Sequence, residues 1–193
     1  VPPTILALVR HGEIVRPVET SNFDPAPLSD AGRRQITGLA ESWPMQPPDA
    51  LYASPLRRAI ESAETFASTF HRPIVVRRCL REWAADTSGI PQADYVALEA
   101  RAWADLDLVP PAGESLRMAA ARIRSCVEEI AGHHPGETVV LMGHGTLFSL
   151  LTAALRGIPP SPAYKASIGF AHTAILEAGS GLRLRTDFRS YGT

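Results

Sequence analysis

A chain of 193 residues that is 45% hydrophobic has room for one full hydrophobic core and would crowd two. Its 19 basic and 20 acidic residues leave a formal charge of −1, which gives no electrostatic footprint for nucleic acid or an anionic membrane surface and makes any basic chemistry local. The two cysteines, Cys79 and Cys126, make neither a disulfide framework nor a metal-ligand spacing.

In chain order, Thr4 to Val9 is a continuous apolar run, as expected of a strand buried on both faces. After a proline-containing loop, Ser29-Asp30-Ala31-Gly32 offers a helix N-cap. Ile36, Leu39, Ala40 and Trp43 follow at helical spacing until Pro44 ends the run. Ala50 to Ala53 is a short strand leading into Ser54-Pro55, read as an N-cap with proline at the first helical position. Leu56, Ile60, Ala63, Ala67 and Phe70 form that helix's apolar stripe, and Pro73 to Val76 is a third strand. The stretch from Trp83 to Pro111 is punctuated by Pro and Gly, with one weak helix around Ala93 to Leu106. Segments of this kind often lie over active sites and set substrate choice. Leu116, Ala120, Ile123, Val127 and Ile130 mark a helix begun near Ser115. Cys126 lies on its apolar face and reads as a buried thiol. Glu137 to Met142 is a strand, and Leu147 to Ala154 a helix closed by Gly157 and Pro159. Ala174 to Glu177 and Leu182 to Thr186 flank a Gly-Ser-Gly turn as a hairpin. This alternation predicts a single α/β domain over residues 1–193, with helices on both faces of a mostly parallel sheet and a variable, lid-like segment at about 83–112. The N-terminus has no charged region followed by a long apolar run. The longest apolar stretch, Val139 to Leu155, is broken at Gly143-His144-Gly145 and short for a bilayer. A cytoplasmic protein without membrane or nucleic-acid partners is therefore expected.

The chemistry-bearing residues fall where strands end and helices begin, the rim at which open α/β sheets bind ligands. Arg10-His11-Gly12-Glu13 closes the first strand, and Gly143-His144-Gly145 closes a later one. Arg57 lies in the first turn of the helix expected from Ser54, and Glu82 follows the third strand. Phosphoryl transfer needs such a set, because its catalysis is mostly positioning and charge neutralisation. Arg10 and Arg57 would clamp a phosphate dianion and keep His11 neutral and nucleophilic. His144, better charged, would donate to a phosphoryl oxygen, ahead of a helix whose free N–H groups near Gly145 offer an anion site. Glu82 would give a proton to the leaving oxygen and take one from water. No metal or cofactor is required. The sequence has no His-Glu-x-x-His and no paired-cysteine spacing.

Six ordered segments carry a resemblance: Leu8-Val9-Arg10-His11-Gly12-Glu13, Leu28 to Gly32, Tyr52 to Ala59, Leu80-Arg81-Glu82, Gly113-Glu114-Ser115 and Gly143-His144-Gly145. In these the chain resembles the histidine phosphatase superfamily, the phosphoglycerate mutase-like group. The resemblance implies a three-layer α/β/α sandwich on a six-stranded mixed sheet. It also implies a nucleophile at His11, a phosphate pocket of Arg10, Arg57 and His144, and an acid–base carboxylate at Glu82. Where relatives often carry Ser or Thr and then Asn after the Arg-His-Gly-Glu run, this chain has Ile14 and Pro17, and Asn22 is the candidate for the missing amide.

The expected activity is a metal-independent phosphomonoesterase working through a phosphohistidine on small phosphorylated metabolites. A cofactor-dependent phosphoglycerate mutase would use the same residues, although the stretch from Glu82 to Gly113 is short for one. A non-catalytic phosphate-binding regulatory domain is the third reading. The oligomeric state stays open, with a homodimer among the options.

Overall fold

The computed structural model describes residues 2–192. Its centre is a six-stranded mixed sheet. The strands are β1 (Thr4–Arg10), β2 (Ala50–Ala53), β3 (Ile74–Val76), β4 (Thr138–Gly143), β5 (Thr173–Ala178) and β6 (Leu182–Arg189), ordered β3-β2-β4-β1-β5-β6. β1, β2, β3 and β4 run parallel, while β5 and β6 form an antiparallel hairpin beside β1. The central strands β1 and β4 are buried on both faces, which is why they read as unbroken apolar runs.

Helices cover both faces. On one, α1 (Asp30–Glu41) and α2 (Arg57–Phe70) bury Ile36, Leu39, Ala63 and Phe66 against Ala7, Val9 and Val140. On the other, α4 (Leu116–Gly132) and α5 (Gly145–Arg156) bury Ile123, Val127, Phe148 and Leu151 against Leu6, Leu8 and Leu141. The caps follow local chemistry. The Ser29 and Ser115 hydroxyls accept the N–H groups of Gly32 and Met118, and Gly157 ends α5 with a positive φ of 68°. α3 (Gln92–Ala104) occupies the segment between Trp83 and Pro111, and the short α6 (Pro162–Ser167) precedes β5.

Two local expectations fail. α2 starts at Arg57 rather than at Ser54, with Leu56 extended at its N-cap, and the Ser54 hydroxyl accepts the Leu56 N–H while also bonding the His144 ring. The cysteines are also not free. Cys79, in the 3-10 turn Arg78–Leu80, is disulfide-bonded to Cys126 on α4. Spacing along the chain could not reveal this, because the pairing depends on that turn packing against α4. Arg122, one helical turn before Cys126, reinforces the packing by donating to the Cys79 and Arg81 carbonyls.

Candidate active site

β1 and β4 are neighbours with Arg10 opposite Gly143, so the residues that follow them emerge side by side. The His11 N–H bonds the Gly143 carbonyl at 3.0 Å, and the His11 and His144 rings meet edge-on with centroids 5.2 Å apart. Gly12 lets this loop pack onto α1, since a Cβ there would collide with the Gly32 carbonyl.

His11 is 5% exposed, and its Nδ1 lies 2.7 Å from the Gly12 carbonyl oxygen. A carbonyl can only accept, so Nδ1 carries the hydrogen and Nε2 keeps its lone pair. That lone pair accepts from Arg58 Nε at 3.3 Å. Burial, followed by the Arg58 charge, holds the His11 pKa well below the ordinary histidine value, so the ring is neutral at physiological pH. His144, expected to be charged, is instead held neutral: it is fully buried and its pKa is depressed in the same way, by burial first and then by Arg58 and His11.

Arg10 and Arg58 supply the positive charge. Arg10 lies over the Phe170 ring at 4.2 Å and donates to the Ile168 carbonyl, while its buried Nε has no partner among the described residues. Arg58 is 5% exposed and also donates to the Phe23 carbonyl at 2.7 Å. Arg57, the residue expected to clamp phosphate, points away. Its side chain is 56% exposed and pairs with Glu61 at 2.7 Å. The correction follows from helix geometry: Glu61 draws Arg57 outward from four residues on, whereas Arg58 shares the buried face with Ala59, Ser62 and Ala63. That partner pattern was the available sequence signal.

Glu82 reaches the same rim, in a role the sequence did not show. Its carboxylate accepts the N–H groups of Thr146, Leu147 and Trp83, each at 2.9 Å. It thus caps α5, whose N-cap residue His144 makes no side-chain cap bond. The N–H groups expected to be free near Gly145 are therefore largely occupied. Gly145 itself lies against Arg10, where an added Cβ would come within 3.3 Å of the guanidinium.

Arg10, His11, Arg58, Glu82 and Thr146 line a cavity of about 210 Å3, while the fully buried His144 lies against the His11 ring and is not on its wall. Its outer wall includes Arg16, Asn22, Trp83, Gln92, Tyr95 and Lys165. Asn22 is thus on the wall, its Oδ1 accepting the Asp24 N–H at 3.2 Å. Burial pushes the Tyr95 phenol up to about 12, so it stays neutral. Lys165 pairs with Glu99 of α3 at 2.5 Å, joining α6 to α3 across the mouth. Among the described residues, no group of three or more His, Cys, Asp or Glu is placed to hold a metal ion, and no helix is long and apolar enough to cross a membrane.

A family model described as histidine phosphatase superfamily (branch 1) matches residues 6–184. Over 144 residues the chain is 34% identical to glucosyl-3-phosphoglycerate phosphatase of Mycolicibacterium vanbaalenii, a match spanning 68% of this chain and 64% of that protein. It is 30% identical over 156 residues to a metal-independent phosphoserine phosphatase of Arabidopsis thaliana, covering 74% of this chain and 64% of that one. The solved structure of a mycobacterial glucosyl-3-phosphoglycerate phosphatase superposes with a TM-score of 0.76 at 28% identity, covering 96% of this chain and 98% of the other.

Proposed function

The chain belongs to branch 1 of the histidine phosphatase superfamily, and from that premise we propose that it hydrolyses small phosphomonoesters through a phosphohistidine on His11. The observation that carries this reading is a neutral His11 whose Nε2 lone pair faces a buried guanidinium. Arg10 and Arg58 neutralise the phosphoryl oxygens, and the His144 ring donates to one of them. The Nε2 lone pair attacks phosphorus and the ester P–O bond breaks, with Glu82 giving the leaving oxygen its proton. Water then attacks the phosphohistidine, the P–N bond breaks, and Glu82 takes the proton that water loses.

The polar outer wall (Arg16, Asn22, Gln92 and Tyr95) suits a substrate with hydroxyl, carboxylate or amide groups beyond the phosphate. The relatives' named substrates, glucosyl-3-phosphoglycerate and phosphoserine, are of that kind. α3 serves as the lid of the segment at about 83–112. A homodimer along β3 belongs to the same reading, since β3 is an edge strand with Val75 and Val76 exposed. The expected cytoplasmic location has the Cys79–Cys126 bond against it, because oxidising compartments favour such bonds.

The test is a phosphate-release screen over sugar phosphates, phosphoamino acids, glycerates and nucleotides, with acid-quenched labelling of the enzyme. Acid-labile label on wild type and none on His11→Ala supports the assignment. Phosphoryl return from a bisphosphoglycerate primer with little free phosphate would point to a mutase instead, and no turnover at all to a binding domain.

A further inference from the structure

We propose that Ser54 is a positioning residue that fixes His144 as its Nδ1–H tautomer, so that this ring offers the phosphoryl group a hydrogen rather than a lone pair. The proposal rests on the reading of the cavity as a phosphoryl-transfer site and goes beyond it, by placing one proton and naming the residue that places it.

Ser54 follows the last residue of β2, and its N–H is held by the Met142 carbonyl of β4 at 3.0 Å. Ser54 and His144 are both fully buried, with Ser54 Oγ 2.7 Å from His144 Nε2. A hydroxyl has one hydrogen to give and two lone pairs to accept with. One lone pair takes the Leu56 N–H at 3.3 Å. Among the described residues, His144 Nε2 is the only other group bonded to this oxygen. The hydroxyl hydrogen therefore goes to Nε2, and a neutral ring accepting at Nε2 must carry its own hydrogen on Nδ1. Nδ1 is a buried atom with no hydrogen-bond partner among the described residues, and in this proposal its hydrogen is the one that meets a phosphoryl oxygen.

The opposite tautomer would strand the Ser54 hydrogen without an acceptor in a dry site. It would also turn a lone pair toward an anion, and each of these is costly. The two active-site histidines then share one tautomer and use it in opposite senses. His11 spends its Nδ1–H on the Gly12 carbonyl and presents the Nε2 lone pair. His144 spends Nε2 on Ser54 and presents Nδ1–H. One ring is set as nucleophile and the other as donor by two small backbone-proximal groups.

The experiment is nitrogen-15 NMR of the imidazoles in histidine-labelled wild type, Ser54→Ala and Ser54→Thr, alongside steady-state kinetics and thermal melts. Wild-type His144 is expected to show a proton-bearing Nδ1 and an unprotonated Nε2. In Ser54→Ala, Nε2–H becomes populated, and kcat falls on the order of tenfold to a hundredfold, less than where a charged tautomer-fixing group is lost. KM moves less than kcat. Ser54→Thr, which keeps the hydroxyl, retains the tautomer and most of kcat. An Nε2–H His144 in wild type overturns the proposal, as does a Ser54→Ala enzyme with tautomer and kcat unchanged. A tautomer that follows Ser54 in a protein releasing phosphate from no monoester would uphold this proposal while sinking the phosphatase reading.

Discussion

Arg58 Nε lies 3.3 Å from His11 Nε2, whereas Arg57, its chain neighbour, turns outward to Glu61. One position along a helix thus separates a buried guanidinium in the cavity from a solvated one. Arg58→Ala should lower kcat/KM by about a hundredfold or more, the scale set by removing a charge-stabilising donor. Arg57→Ala should stay within a few-fold, since exposed ion pairs contribute about 0–1 kcal/mol. Inorganic phosphate should raise the melting temperature of wild type and Arg57→Ala by linkage, but not that of Arg58→Ala. Equal losses in the two variants would refute the assignment.

Glu82 is both the α5 cap and the proposed proton carrier, and the two roles separate by readout. Glu82→Gln keeps one acceptor oxygen for the helix and loses the acid, so stability should fall by about 1 kcal/mol, the worth of a cap. The kcat for an alkyl phosphate should fall on the order of a hundredfold or more. With a nitrophenyl phosphate, whose leaving group needs no proton, the loss should be much smaller. A deficit independent of the leaving group would show that Glu82 only holds the helix.

The sheet was legible because a strand buried on both faces must be apolar throughout, as β1 and β4 are. His11, Arg10 and His144 were legible for a related reason: titratable side chains at the ends of such strands, with glycines beside them, have few packing roles. Arg57 and Arg58 were not separable by motif, because both fall within Tyr52 to Ala59, and only the position of Glu61 tells them apart. The capping of α5 by Glu82 joins residues 64 and 65 positions apart, so no local pattern reports it. The same holds for Cys79 and Cys126, 47 residues apart.

His11 and His144 are both held neutral, with folded-state pKa values well below the usual one. The unfolded chain takes up protons at these rings near pH 6.5, where the folded chain does not. Their contribution is therefore fully present above about pH 6.5 and is lost as pH falls below it, by up to about 1.4 kcal/mol per pH unit for each ring. Denaturant unfolding between pH 7 and pH 5 should show this loss, with a shallower slope in His11→Asn. A wild-type stability flat across that range would contradict the buried, neutral state of the pair.

The Cys79–Cys126 bond ties the turn that leads to Glu82 onto α4, and Arg122 holds the same turn through the Cys79 and Arg81 carbonyls. Two restraints on one segment lead to different expectations for stability and for catalysis. Cutting the covalent one frees the unfolded chain, and for a closed loop of this length the chain-entropy model gives about 4 kcal/mol as the stabilisation lost. The native geometry at Glu82 keeps its second restraint. Reduction with a phosphine should therefore lower the denaturation midpoint while leaving kcat nearly unchanged. Arg122→Ala combined with reduction should lower kcat, because the turn that places the carboxylate has then lost both of these ties to α4. Thiol titration of unreduced, denatured protein should find no free cysteine; two reactive thiols there would mean that the bond does not form.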